Sequence, residues 1–326
     1  MPSPTPRRRR TPASAPRRPA RRDTAARRAA RRRRRVVAGA AVLAVTATAV
    51  WMLREEEVPV LLRERCIATV EGQSTDWSPE QMGNAATIVG LSVRRELPAR
   101  AATIAIATAI QESTLRNLDH GDRDSLGLFQ QRPSMDWGSP EQVQDPVYAT
   151  NAFYDGLAKV DGYRDMAVTD AAQEVQRSAF PLAYGDHEQE GRILASSLTG
   201  HSPASLTCRL RPVDDVAVEL PGEGGLTPRA QRVADELAEQ VSERGVRPVD
   251  GALGRAWQFE GGEGAEGERL AWAVAHWAVA RADALDVEEV SVGKLRWQRS
   301  EPDAGWAPTQ SPLGPSTVDV RVAHGE

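Results

Sequence analysis

The sequence predicts a mainly α protein in four parts: a disordered Arg-rich tail, one transmembrane helix, a helical domain, and then a small α+β domain. Three observations lead there. The first is a split in charge. The 326 residues hold 41 Lys and Arg against 45 Asp and Glu, a net charge of −4, yet residues 1–35 alone hold 15 Arg and a single acid, Asp23. That arm carries +14, and the 26 basic and 44 acidic side chains that remain give the rest of the chain −18. The second is the run Val36 to Leu53, eighteen residues without a charge. The third is a helical spacing of apolar residues across 79–200, with no segment of strand period inside it.

Residues 1–35 are Arg, Pro, Ala, Ser and Thr almost throughout, too polar to bury a core, and are expected to be a disordered cytoplasmic tail. Such an arm suits anionic lipid headgroups. It could equally serve only to set topology. No aromatic interleaves the Arg clusters to stack on bases, which disfavours nucleic acid.

The run 36–53 would span about 27 Å as a helix, the short end of what crosses a bilayer. Arg31 to Arg35 precede it and Glu55 to Glu57 follow it, so the positive-inside rule keeps the N-terminus cytoplasmic and sends the bulk of the chain outside. The expected placement is therefore a single-pass protein of the cell membrane. A cleaved signal peptide is the alternative, but no small-residue cleavage pattern follows the run. One span excludes transport by this chain alone.

Residues 54–78 read as a stalk containing Cys66. Cys66 and Cys208 are the only cysteines. In an oxidising compartment they allow one disulfide, bracketing residues 79–200; two unrelated buried thiols are the other reading.

Within 79–200, Ser78, Pro79 and Gln81 form the signature of a capped helix start, and Pro98 stops that helix. A second helix from Ala99 is apolar on every side through Ile110, as a helix at the centre of a domain must be. Further helices are predicted at Val147 to Val160, Thr169 to Ser178 and Glu188 to Ser197. Residues 209–226, with Pro221 to Gly225, read as a linker. In 227–326, helices are predicted at Pro228 to Arg244 and about Glu266 to Arg281, then strands at Val287 to Trp297 and Thr317 to Val322. Trp257, Trp272, Trp277, Trp297 and Trp306 read as core and interface residues, and this part shows no catalytic constellation.

The chemistry is concentrated in Ile110 to Gln131. Glu112 stands where the apolar helix leaves the core. Burial and the negative end of the helix dipole both raise a carboxyl pKa there, which suits a general acid. Glu112-Ser113, then a loop, then Ser125-Leu126-Gly127-Leu128-Phe129-Gln130 resembles the Glu-Ser and Gly-Leu-Met-Gln motifs of the lytic transglycosylase and goose-type lysozyme-like superfamily. Asp145-Pro146 with Asn151 and Phe153-Tyr154 resembles the helix that follows, and Ala183-Tyr184 the start of the third, Ala-Tyr-Asn motif. The likeness covers roughly residues 79–197.

The resemblance implies a lysozyme-like helical domain that acts on peptidoglycan glycan strands. It makes Glu112 the single catalytic residue, acid first and base second, aided by the substrate's own N-acetyl group. It places Ser113, Ser125, Gln130 and Tyr184 at the substrate, and Trp137, in a Pro- and Gly-rich loop, is the best candidate for a sugar-stacking platform. Two positions depart from the pattern: Phe129 stands for the usual Met and Gly185 for the Asn of the third motif.

Asp119, Asp122 and Asp124 crowd the intervening loop, either as a water-activating base or cation site or as a solvated turn. His120 and His187 lack partners at zinc spacing, so no metal is expected. No phosphate loop, nucleophile elbow or dinucleotide fingerprint is present, and no cofactor is expected. The function expected is membrane-anchored, extracytoplasmic cleavage of peptidoglycan strands, the alternative being an inactive, membrane-tethered wall-binding or scaffold protein. The sequence names no protein partner.

Overall fold

The computed structural model describes residues 64–177, 182–214 and 216–325. About 41% of these are helical and 17% lie in strands, arranged with two antiparallel sheets, so the mainly α expectation gives way to a mixed architecture. The described residues form one compact unit.

The expected membrane placement is corrected as well. Among the described residues no helix is long and apolar enough to cross a membrane, and the single-pass arrangement is not carried further. The Arg-rich tail and the run 36–53, on which it rested, lie outside the described residues.

The first sheet stands where a stalk was expected. Strands β1 (Arg65–Val70) and β2 (Gln73–Trp77) form a hairpin. The two turn residues, Glu71 and Gly72, both have positive φ, the geometry that matches the twist of a tight hairpin. Strand β3 (Leu206–Arg209) pairs with the other side of β1, in the order β2-β1-β3. Cys66 lies opposite Cys208 in that pairing, and the two are joined by a disulfide.

Between β2 and β3 the chain is helical. Helix α1 (Pro79–Arg94) opens on the capping box: Ser78 accepts from the Gln81 backbone N–H, and the Gln81 side chain accepts from that of Ser78. Helix α2 (Ala99–Ser113) is buried from Ala101 through Ile110, the residues with no polar side to show to water. Around it lie α3 (Pro140–Gln144), α4 (Pro146–Leu157), α5 (Val168–Gln176) and α6 (Glu188–Leu198).

The second sheet has six strands: β4 (Val246–Pro248), β5 (Ala256–Glu260), β6 (Val287–Val292), β7 (Leu295–Gln298), β8 (Trp306–Pro308) and β9 (Thr317–Val322), in the order β4-β5-β9-β6-β7-β8. The two edge strands, β4 and β8, are three residues long and each ends in proline, which removes a donor from an edge that could otherwise template further pairing. Helices α7 (Pro228–Gln240) and α8 (Gly264–Ala280) accompany the sheet.

One continuous core joins the two halves, with Trp257, Trp277 and Trp297 fully buried in it. Gln240 accepts from both Thr87 of α1 and the indole N–H of Trp277, while Trp297 and Trp306 donate to the Cys208 and Leu206 carbonyls. Gly200 sits so close to α8 that a Cβ there would run into the Arg269 carbonyl.

His276 of α8 is wholly buried at this junction between Trp272 and Trp306, with Nδ1 2.7 Å from the Ser197 carbonyl. Its Nε2 is buried and has no partner among the described residues. Burial pushes its pKa down to about 4, against the bond to Ser197, which acts the other way. The folded protein therefore binds this proton less readily than the unfolded chain. The stability that a neutral His276 allows is complete above pH ~6.5 and is lost as pH falls toward 4, by roughly 3 kcal/mol. Thermal unfolding at pH 7 and pH 5 is expected to show about 2 kcal/mol of this loss, and His276→Gln, which keeps a donor for Ser197, is expected to reduce it. An identical pH dependence in the variant would exclude His276 as its source.

Candidate functional site

Helix α2 ends by a sharp exit. Thr114 and Leu115 both adopt the left-handed conformation, and their carbonyls are taken up by α1, through Gln81 Nε2 at 2.8 Å and Asn84 Nδ2 at 2.9 Å. The last turn of α2 is thereby fixed with Glu112 facing a cleft of about 990 Å³. Ser113, on the same turn, is buried, with Oγ 3.0 Å from the Ala109 carbonyl and 2.7 Å from that of Leu128. It thus joins the helix end to the second motif and is committed to the backbone.

The second motif is a tight turn closed by paired backbone bonds between Leu126 and Gln131. Gly127 has a φ of +77°, and a Cβ there would meet the Val143 carbonyl, so the position requires glycine. Leu128 and Phe129 turn into the core, and the Phe129 ring stacks on Phe153 at 4.7 Å. The Phe in place of Met is therefore a core residue and does not reach the cleft.

Ser125, Gln130 and Trp137 all line the cleft with Glu112. Ser125 is nearly buried, and Gln130 folds back so that its Nε2 stands 3.3 Å from the His120 and Gly127 carbonyls. Trp137 is half-buried, one side packed on the core and the other available to the cleft.

Tyr184 is fully buried and stands behind the carboxyl, donating from Oη to Glu112 Oε1 at 2.7 Å. Burial raises the pKa of Glu112, and the bonds from Tyr184 and then Gln176 oppose that rise only in part. The result is a carboxyl that holds its proton above the ordinary range and has an open cleft in front of it.

The three loop aspartates are not equivalent. Asp124 accepts from Arg132 Nε and the Ser134 backbone N–H, both at 2.8 Å, and these bonds hold its pKa well below the usual range. It acts as a clamp for the loop. Asp119 pairs with His120 on the exposed surface, and Asp122 is exposed at the rim of the cleft. His187 lies 3.1 Å from Gln111 at Nε2. Among the described residues no three His, Cys, Asp or Glu side chains gather as a metal site.

Residues 222–319 match the family model described as VldE, C-terminal domain. No curated protein matches the chain. The match covers most of the second sheet with its two helices, and it does not reach the cleft around Glu112.

One residue of the site went unread in the sequence. Gln176, the last residue of α5, donates from Nε2 to the Phe129 carbonyl at 2.8 Å and to Glu112 Oε1 at 3.3 Å. The contact joins residues 64 positions apart, and no local spacing rule points from one to the other.

Proposed function

We propose that the cleft binds the glycan strand of peptidoglycan and that Glu112 cleaves it, as the resemblance to the lytic transglycosylase and goose-type lysozyme-like superfamily implies. The observation that carries this reading is the 2.7 Å bond from Tyr184 to Glu112. The resemblance named these two residues from separate motifs, and they meet at one partly buried carboxyl whose pKa is raised.

A protonated Glu112 gives its proton to the glycosidic oxygen as the bond from that oxygen to C1 breaks. The substrate's N-acetyl oxygen covers C1, and the carboxylate then takes a proton from the hydroxyl that attacks there. If the attacking group is the sugar's own 6-hydroxyl, the product is a 1,6-anhydro sugar; if it is water, the product is a free reducing end. Of the loop aspartates, Asp124 is bound by Arg132 and Ser134 and Asp119 by His120, while Asp122 lines the cleft together with Asp161 and Glu174.

Gly185 favours a second reading, binding without cleavage. It offers no side chain where the third motif of the family has an amide. Incubation with purified sacculi separates the two readings: release of soluble muropeptides is expected from the enzyme, whereas co-sedimentation without release supports a binding module.

A further inference from the structure

The two donors on Glu112 reach the same oxygen. Tyr184 Oη and Gln176 Nε2 both contact Oε1, and among the described residues no bond to Oε2 is found. A neutral carboxyl has one carbonyl oxygen, which accepts, and one hydroxyl oxygen, which donates. The orientation of the Gln176 amide is not arbitrary. Its Nε2 also stands 2.8 Å from the Phe129 carbonyl, a group that can only accept, so the atom facing Oε1 is a donor.

Both neighbours of that amide are held in place. Phe129 is fully buried in the second-motif turn, and Arg177, just after Gln176, takes the left-handed conformation and closes α5 with a backbone bond to the Gln173 carbonyl. The second motif thereby reaches the acid through a third element, by way of Phe129, Gln176 and Glu112.

We propose that Gln176 is a positioning residue for Glu112, acting with Tyr184 to hold Oε1 as the acceptor oxygen and so to assign the transferable proton to Oε2. That the proton is used in glycan cleavage rests on the function proposed above; the hydrogen-bonded arrangement does not. Gln176 fixes which face of the carboxyl is acidic, and it ties that choice to the geometry of the second motif. An amide at position 112 reproduces the pattern, its carbonyl taking both donors and its NH2 standing where the hydroxyl was.

The test uses the full chain with 13C-labelled glutamate and follows the Glu112 carboxyl by NMR through a pH titration, in wild type and in Gln176→Met, which keeps the length and removes the donor. The amide stabilises the charged form, so its loss is expected to raise the titration midpoint. On glycan strands the variant is expected to lose about tenfold in kcat with little change in KM, a fraction of what a general acid supplies. The alkaline limb of its pH–rate profile is expected to move to higher pH. A residue that only braced the loop would leave both the midpoint and the limb in place. A Glu112 titration superimposable on that of wild type overturns the proposal.

Should Gln176→Met not fold, the Gln176 side-chain amide protons of the wild-type protein serve instead. They are expected to shift with the Glu112 midpoint and to become flat in Glu112→Gln, and a flat response in wild type overturns the proposal. Coupled titration in a protein that cuts no glycan would uphold the positioning role and remove the cleavage reading.

Discussion

Glu112→Gln is expected to reduce strand cleavage by about 10²- to 10⁴-fold, the range that a positioned general acid contributes, while leaving binding to sacculi intact. The amide has the size of the acid and offers the same acceptor to Tyr184 and Gln176, but its NH2 cannot deliver a proton to the leaving oxygen. Stability is expected to move in the opposite direction to activity. Burial raises the pKa of Glu112 in the folded state above its unfolded value, so the folded protein binds this proton more tightly. The ionised carboxylate then opposes folding at any pH above the folded pKa, and the penalty disappears below the unfolded value near 4.5. Glu112→Gln is accordingly expected to melt higher than wild type at pH 7 and no higher at pH 4. A variant that digests sacculi at the wild-type rate would remove Glu112 from the mechanism.

The second large effect is expected from the disulfide. Cys66 and Cys208 are 142 residues apart, both buried, and the loop they close contains all of α1 to α6. In the chain-entropy model, a loop of this length restricts the unfolded chain by about 5 kcal/mol. For a protein of this size that corresponds to a fall in Tm of roughly 10 °C or more. Replacing both cysteines by alanine, or reducing the wild-type protein, is expected to produce this fall, with activity lost at a correspondingly lower temperature. Equal melting temperatures for the oxidised and reduced protein would show that the pairing of β1 with β3 holds the loop without the covalent bond.

The elements legible in the sequence were those with local signals. Ser78, Pro79 and Gln81 mark the start of α1 because a cap is a contact over three residues, and α2 is legible because all its sides are apolar. The hairpin of β1 and β2 left a weaker trace in Glu71-Gly72, which reads as a turn only once strands on both sides are suspected. The edge strands β4 and β8 are three residues long and contain proline, so no alternation could develop. The position of β9, the last strand, between β5 and β6 is a tertiary fact that no window of sequence contains. The site divides in the same way. Glu112 and Tyr184 were readable through motifs, whereas Gln176 was not, because its partners Phe129 and Glu112 are supplied by other elements.

The mass of the fragments released from purified glycan strands tests the central claim most directly. Incubation with the wild-type protein is expected to yield shortened strands, with Glu112→Gln yielding none. The mass of the new ends then identifies the attacking group, since an anhydro end left by the sugar's own 6-hydroxyl is lighter than a hydrolysed end by one water. Strands recovered at full length from the wild-type protein, under conditions where it binds them, would contradict cleavage at this cleft and leave a glycan-binding module in its place.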